Sequence, residues 1–549
     1  MPRLQCAATL LIVLLVVGTV GASESPGVPA HAELPRDYVD TSFTPPTSRI
    51  IRVSPGGDLQ GALNAAQLGD VIELAAGATY IGPFLLPKKE GTGWILLRTS
   101  SPDPNFQQNV TRRVNPSLAP LMSRLIASKG TVILLAPGAH HYRFVGVEIS
   151  PSPATFLNSL VGPAVDPRSD ADQPHHLVID RCYLHGDPAL GTRRAIALNG
   201  KHIAIIHSHL SDFKEAGADS QALAGWNGSG PFKIVDNYLE GAAENIIFGG
   251  GDPQIAGLVP ADIEIRGNTF AKNIRWNPRH SSYDGSRWTM KNLFELKNAR
   301  RVLLEANVFE DYNGSTIVIT PRNQSGGAPW STVEDVTIRH NWIRRVRAVI
   351  TISGYDEYHP SAPTKRITME HNIAESLNDT GEPNPKMILI NQGPDDVTIR
   401  HNTVLTPPGL GSSYLIFANA INKKGNAFAF TDNIAHLGTY GVIGDNPPLG
   451  GSSTTLLEGH FRTWIFTRNV LIGIQGIPTS RYPPGQHWES LLSGIGFRNV
   501  ARGDFRLTAQ SRYKGTAING NDPGANMDAL SAAFSRFMSV PSPLKETNR

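Results

Sequence analysis

Short alternations of apolar and polar residues dominate the chain, and they keep closing on an asparagine: IVDNYL, IRGNTF, LEANVF, IRHNWI, MEHNIA, IRHNTV, FTDNIA and FTRNVL. The asparagines are Asn237, Asn268, Asn307, Asn341, Asn372, Asn402, Asn433 and Asn469, spaced by 31, 39, 34, 31, 30, 31 and 36 residues. Cys182 and Ser208 hold the same place in two earlier runs. Self-similarity at this period marks a repeat architecture. The period-two alternation and the wealth of Val, Ile, Thr and Phe predict strands, not helices. Each period has room for about three short strands, and stacking them at about 4.8 Å predicts an all-β fold, a right-handed parallel β-helix of about ten or more coils. The asparagine then tolerates a left-handed bend and bonds its amide to the equivalent amide one rung away. Rung stacking also places His340, His371 and His401 in one column, Arg339, Glu370 and Arg400 in a second, and Thr337, Thr368 and Thr398 in a third. These columns are read as structural, the histidines included.

The ends of the coil carry their own signals. Residues 57–87 open with a short amphipathic helix (Leu59, Ala62, Leu63, Ala66) that would cover the exposed edge of the first rung. The stretch GDFRLTAQSRYKGTAINGNDPG lies near the other end. Both resemble the opening and closing segments of the pectin-lyase-like β-helix superfamily, a resemblance covering roughly residues 48–530. It implies a β-helix domain over 48–510, an N-terminal capping helix and a C-terminal capping tail over 511–549, with an N-terminal extension over 23–47. That superfamily includes lyases, hydrolases, esterases, epimerases and phage adhesins, so function must come from the site.

The strands after each asparagine turn align by their apolar pairs: IALN (196–199), IIFG (246–249), FELK (294–297), IVIT (317–320), ITIS (350–353) and ILIN (388–391). With Phe294 and Leu296 inward, alternation turns Glu295 and Lys297 outward. Asn199, Gly249, Thr320, Ser353 and Asn391 join that outer column, Asn245 precedes its strand and points out, and Arg322 follows two residues after Thr320. Long loops border the column: 271–292 carries Trp276, Tyr283, Trp288 and Lys291, and 354–363 carries Tyr355, Asp356, Glu357 and His359. Aromatic faces beside cations and amides suit sugar rings that bear carboxylates, although the same aromatics could serve as loop anchors.

Composition narrows the partners. The chain has 549 residues, 40% of them hydrophobic, and a net charge of +3 without a Lys/Arg-rich run, a balance that does not suggest nucleic acid. Residues 1–22 combine Arg3, an apolar core and small residues at Gly21 and Ala22, which predicts a secretory signal peptide and a secreted or periplasmic protein. A retained anchor is the alternative, but the apolar stretch is short for spanning, and no stable membrane insertion is expected. Cys6 leaves with the signal, so the mature chain keeps Cys182 alone and no internal disulfide. A monomer is expected.

Three chemistries remain open. β-Elimination from a uronic acid polymer needs a base, a group on the leaving oxygen and positive charge on the carboxylate; Lys297, Arg322 and Lys291 supply these, and Glu295 and Asn245 offer oxygen ligands for Ca2+. A glycoside hydrolase needs two carboxyl groups, for which Glu295 with Asp356 or Glu357 is the best pair. A non-catalytic carbohydrate-binding or surface protein would leave Glu295 and Lys297 as one more cross-rung ion pair. Over about thirty residues the stretch resembles the chondroitinase B and alginate lyase family. The resemblance implies Lys297 as base, Arg322 as acid or charge stabiliser, Glu295 as a calcium ligand and Asn245 as its partner. Asn298, Asn323 and Leu293 depart from that family's pattern, which has serine, histidine and a second acid there. The implied partner is an acidic polysaccharide, with Trp276, Tyr283, Trp288, Lys291 and Asn391 as binding residues.

Overall fold

The structure, a computed structural model, describes residues 27–107, 110–375, 386–406, 413–419, 423–445, 452–473 and 478–537. The expected signal peptide lies outside the described residues. Three parallel faces wind around one core, forming a right-handed parallel β-helix. The first face is a sheet of 14 strands running from Arg49–Val53 to Phe461–Thr467. The second and third faces merge because two 12-residue strands, Val308–Ile319 and Trp342–Ser353, turn the corner between them without a break.

The register makes the core a set of vertical stacks. Ile205, Ile234, Ile265, Leu304, Ile338, Met369, Ile399, Phe430 and Phe466 lie over one another on the first face, all buried. Each such side chain contributes roughly 1.5–3 kcal/mol by leaving water, far more than any surface ion pair. The expected Thr337–Thr368–Thr398 column has the same register.

The asparagine ladder runs unbroken from Asn237 to Asn469, each Nδ2 donating to the next Oδ1 at 2.9–3.1 Å. Ser208 N donates to Asn237 Oδ1 at one end, and Gln486 Oε1 accepts from Asn469 Nδ2 at the other. The left-handed residue, however, is the one before each asparagine: Asp236, Gly267, Ala306, His340, His371, His401, Asp432 and Arg468 all have φ between 52 and 66°. The bend belongs to that neighbour, which frees the asparagine side chain to point inward and bond across rungs.

The capping helix forms at Leu59–Ala65, with Asp58 accepting from Gly61 N and with Leu59, Ala62 and Leu63 buried. The N-terminal segment lies along the first face: Glu33 N donates to Asp335, Arg36 N to Asp262, and the Lys233 ammonium to Thr41 Oγ1. The C-terminal segment starts at the last rung, where the Tyr513 hydroxyl reaches Glu489, and then climbs back up the side of the coil. Its helix Met527–Ser535 buries Met527, Leu530, Ala533 and Phe534 against Val308, Trp342, Ile373, Ile434 and Val470. On the way Asn526 N donates to His371 Nδ1, so the His340–His371–His401 stack is a covered, structural column. Cys182 is buried beneath this corner, its thiol pushed up to about 12 by burial. Among the described residues no helix is long and apolar enough to cross a membrane.

Candidate active site

The strand Asn292–Leu296 puts Phe294 and Leu296 into the core and leaves Glu295 on the outer wall of the third face. Lys297 continues the strand, its N–H donating to Phe248 O, and its ammonium stands 3.5 Å from Glu295 Oε1. Directly above sits Gly249 at φ 91°, where a Cβ would lie 2.8 Å from Lys297 Cβ and 2.7 Å from Asn298 N. A residue without a side chain is what lets Lys297 pass under that turn. One rung below, Arg322 N donates to Lys297 O, and the guanidinium is held by Asp356 at 2.7 Å with the Tyr358 ring stacked on it. Lys297, Arg322, Lys291, Asp219, Gln324, Tyr358 and His359 thus line one cleft of about 460 Å³.

A polar relay feeds this cleft from the rungs above. Arg194 Nε donates to Gln221, Gln221 Nε2 donates to Glu244, and the Lys291 ammonium bridges Glu244 at 2.9 Å and Asp219 at 2.8 Å. The Glu244 carboxylate lies beside Glu295 and disfavours its ionised form. Burial pushes the Glu295 carboxyl up to about 7, with the adjacent Lys297 opposing and Glu244 reinforcing the rise. Beneath them the buried Lys272 ammonium donates to Gly241 O, Ala242 O, Ala243 O and Asn292 O, and burial pulls its pKa down to about 7. That lysine fixes the corner from which Glu244 emerges.

Several expected site residues stand elsewhere. Asn245 does not point outward: it is fully buried, and its amide nitrogen donates to Leu239 O and Ala271 O inside the corner. The acid beside Glu295 is Glu244, because Asn245 and Ile246 both turn inward, as Leu293 and Phe294 do on the next rung, and that breaks the alternation. Trp276 is only 2% exposed and packs with Trp288 around the Lys214 ammonium, while Trp288 Nε1 donates to Asp284. Trp276, Tyr283 and Trp288 anchor or border their loop, and none of them lines the cleft. Asn391 is on the third face, bonded to Ser353 Oγ, but three rungs below Lys297. Sequence reasoning missed Glu244, Asp219, Gln324, Tyr358 and Lys272; the acid one position before Asn245 was the single available signal.

Linkage follows from Glu295. Its folded carboxyl sits above the ordinary 4.5, so its contribution to stability is complete below that value and is lost as pH rises through about 7. Glu295→Gln is therefore expected to raise the thermal midpoint at about pH 8 and to leave it nearly unchanged at about pH 5. Paired melting curves check this, and an equal or lower midpoint at the higher pH contradicts it.

The sequence matches no protein-family model and no curated protein. Among solved structures, a mutant form of AlyGC, a PL6-family alginate lyase, is similar at 13% identity over 87% of this chain and 57% of that one, with a TM-score of 0.45. This chain therefore spans little more than half the length of AlyGC. A mannuronic-acid-specific polysaccharide family 6 lyase from human gut microbiota is 12% identical over 89% of this chain and 99% of its own, with a TM-score of 0.43. A tailspike protein of an E. coli bacteriophage, in complex with a pentasaccharide, is 10% identical over 80% and 78% of the two chains, with a TM-score of 0.36.

Proposed function

We propose that this protein is a secreted lyase that cleaves a uronic-acid polysaccharide by β-elimination in the Lys297–Arg322 cleft. The observation that carries this reading is the convergence of Lys291, Lys297 and Arg322 on one outer-wall cleft beside a buried carboxyl pair. Positive charge at that wall attracts a sugar carboxylate and stabilises the enolate-like charge that grows on it. Lys297 takes the proton from the carbon next to the carboxylate. The electron pair forms the new double bond as the glycosidic oxygen departs, hydrogen-bonded by Arg322, and that oxygen takes its proton from solvent water in the open cleft. Asp356 keeps the guanidinium aimed, and the Tyr358 ring, 74% exposed over Arg322, is a stacking platform for a sugar.

Glu295 Oε2 is buried without a hydrogen-bond partner and stands beside Glu244, a donor set that a hard cation fits as well as a proton does. Glu244 and Glu295, not Asn245, would hold a Ca2+ ion, which would neutralise the substrate carboxylate. The hydrolase alternative is weaker on this geometry. Glu295 is buried and paired with Lys297, and Asp356 is committed to Arg322, so the two carboxyls that paired glycosidase chemistry would use are both engaged.

The test is a panel of alginate, pectate, glucuronan and glycosaminoglycans followed by ultraviolet absorption and by reducing-end release. Elimination produces both signals together on at least one polymer. Reducing ends without ultraviolet absorption mean hydrolysis, and neither signal means binding alone. Loss of turnover on chelation, restored by Ca2+, supports the cation.

A further inference from the structure

The first face carries a second cluster, several rungs before the cleft. The strands His140–Val145 and His175–Asp180 each begin with a histidine pair, and the register sets His175 against His140. The His140 and His175 rings stack at 4.8 Å, the His141 and His176 rings at 4.3 Å, and His202 continues the second stack at 4.5 Å. One nitrogen from each of His141, His175 and His176 lies within 4.8 Å of the others. We propose that His141, His175 and His176 form a binding site for a borderline divalent transition metal such as Zn2+, clamping two successive rungs.

Four features support it. First, the backbone fixes the direction of the rings: His141, His176 and His202 have φ of 60, 54 and 51° at the second position of their strands. Lower rungs fill this same left-handed position with charges that pair across rungs, Asp262 with Arg301 and Asp335 with Arg366. The histidine rungs replace those ion pairs with neutral donors. Second, the ligands come from two strands paired in register, so His141 on one rung and His175 and His176 on the next face one another across the rung step.

Third, each adjacent pair shares an Nδ1···Nδ1 hydrogen bond, 2.8 Å for His140–His141 and 2.7 Å for His175–His176. The ring that donates through Nδ1 keeps its Nε2 lone pair for a metal, while its neutral partner accepts at Nδ1 and carries the proton on Nε2; of His175 and His176, the accepting ring must give up this bond and offer Nδ1 when a metal binds. Fourth, the nearest cation, Lys201, follows His175 in its column but is neutralised by Asp170 at 2.6 Å. Tetrahedral imidazole sites have metal–nitrogen bonds of about 2.0–2.1 Å, so the parallel His141 and His176 rings must rotate out of their stack for their lone pairs to converge. The three rings are half-buried, which leaves the fourth position to solvent. Three imidazoles and water favour Zn2+, Ni2+ or Cu2+ over Ca2+ or Mg2+.

The full-length, tag-free protein, stripped with a chelator, would be dialysed against Zn2+ and titrated with Co2+. The expected result is one Zn2+ per chain and a visible Co2+ band that saturates at one equivalent. His175→Gln and His176→Gln should each weaken binding by at least about tenfold, whereas His371→Gln, in the covered column, should not. Wild-type protein with no saturable Co2+ band overturns the site whether or not the variants fold. So does equal Zn2+ retention by wild type and His176→Gln.

Discussion

Lys297→Ala is expected to lower elimination turnover by about a thousandfold, the order of effect that a positioned general base contributes. No neighbour stands ready to replace it. The Lys291 ammonium is engaged by Asp219 and Glu244, and the Arg322 guanidinium, bonded to Asp356, does not give up its proton. His359 also lines the cleft, so His359→Gln is the companion variant and should keep most of the rate. Lys297→Arg separates base from binder: arginine preserves the charge but not the ability to accept a proton. If Lys297 only attracts the substrate, the arginine variant works; if it is the base, arginine is as inactive as alanine.

The fold should survive the change. Lys297 contributes an ion pair at 3.5 Å with a carboxyl that is already largely protonated below about pH 7, so melting curves at about pH 5.5 should coincide for wild type and variant. Full turnover by Lys297→Ala would remove the proposed chemistry from this cleft. Loss of ultraviolet absorption with continued release of reducing ends would assign the cleft to hydrolysis.

Much of this geometry is legible in the sequence because a coil converts spacing into contact. The asparagine period fixes the stacks, and within a straight strand alternation assigns faces, which is why Glu295 on the wall and Phe294 in the core could be read from FELK. Corners defeat the same rule. Asn245 and Ile246 turn inward one after the other, as do Leu293 and Phe294 on the next rung, so parity counted back from Ile246 gave Asn245 the place that Glu244 holds. Loops defeat it differently. Trp276 and Tyr358 are both aromatic residues in long insertions, and only the fold decides that one wraps Lys214 while the other stacks on Arg322. Asp219 comes from a loop two rungs above Lys297, and nothing local marks it as a partner of Lys291. The terminal segments are read least well from pattern, because both lie along the side of the coil and answer to residues hundreds of positions away.

Asn341→Ala is expected to cost about 3–5 kcal/mol, at the upper end for a single substitution. Its Oδ1 accepts from both Asn307 N and Asn307 Nδ2, and its Nδ2 donates to Asn372 Oδ1 and Leu304 O. Alanine orphans two donors on Asn307 and a carbonyl on Leu304 at a site that is fully buried, and each buried group left unpaired costs about 1–3 kcal/mol. His340→Gly, one residue away, should stay within about 1 kcal/mol, because glycine adopts the φ of 55° freely and the half-buried imidazole makes only a ring stack and a contact with Glu305. Repeat arrays open by neighbouring units, so amide exchange should accelerate most across rungs 299–375 and less at either end. Those rungs carry Arg322 and Asp356, and a slip of one residue there would turn every outward side chain to the core. The ladder variant should therefore lose turnover at temperatures well below its global melting point. If Asn341→Ala instead matches His340→Gly in denaturant unfolding, the inner amide chain does not hold this corner, and the apolar stacks alone set the register of the cleft.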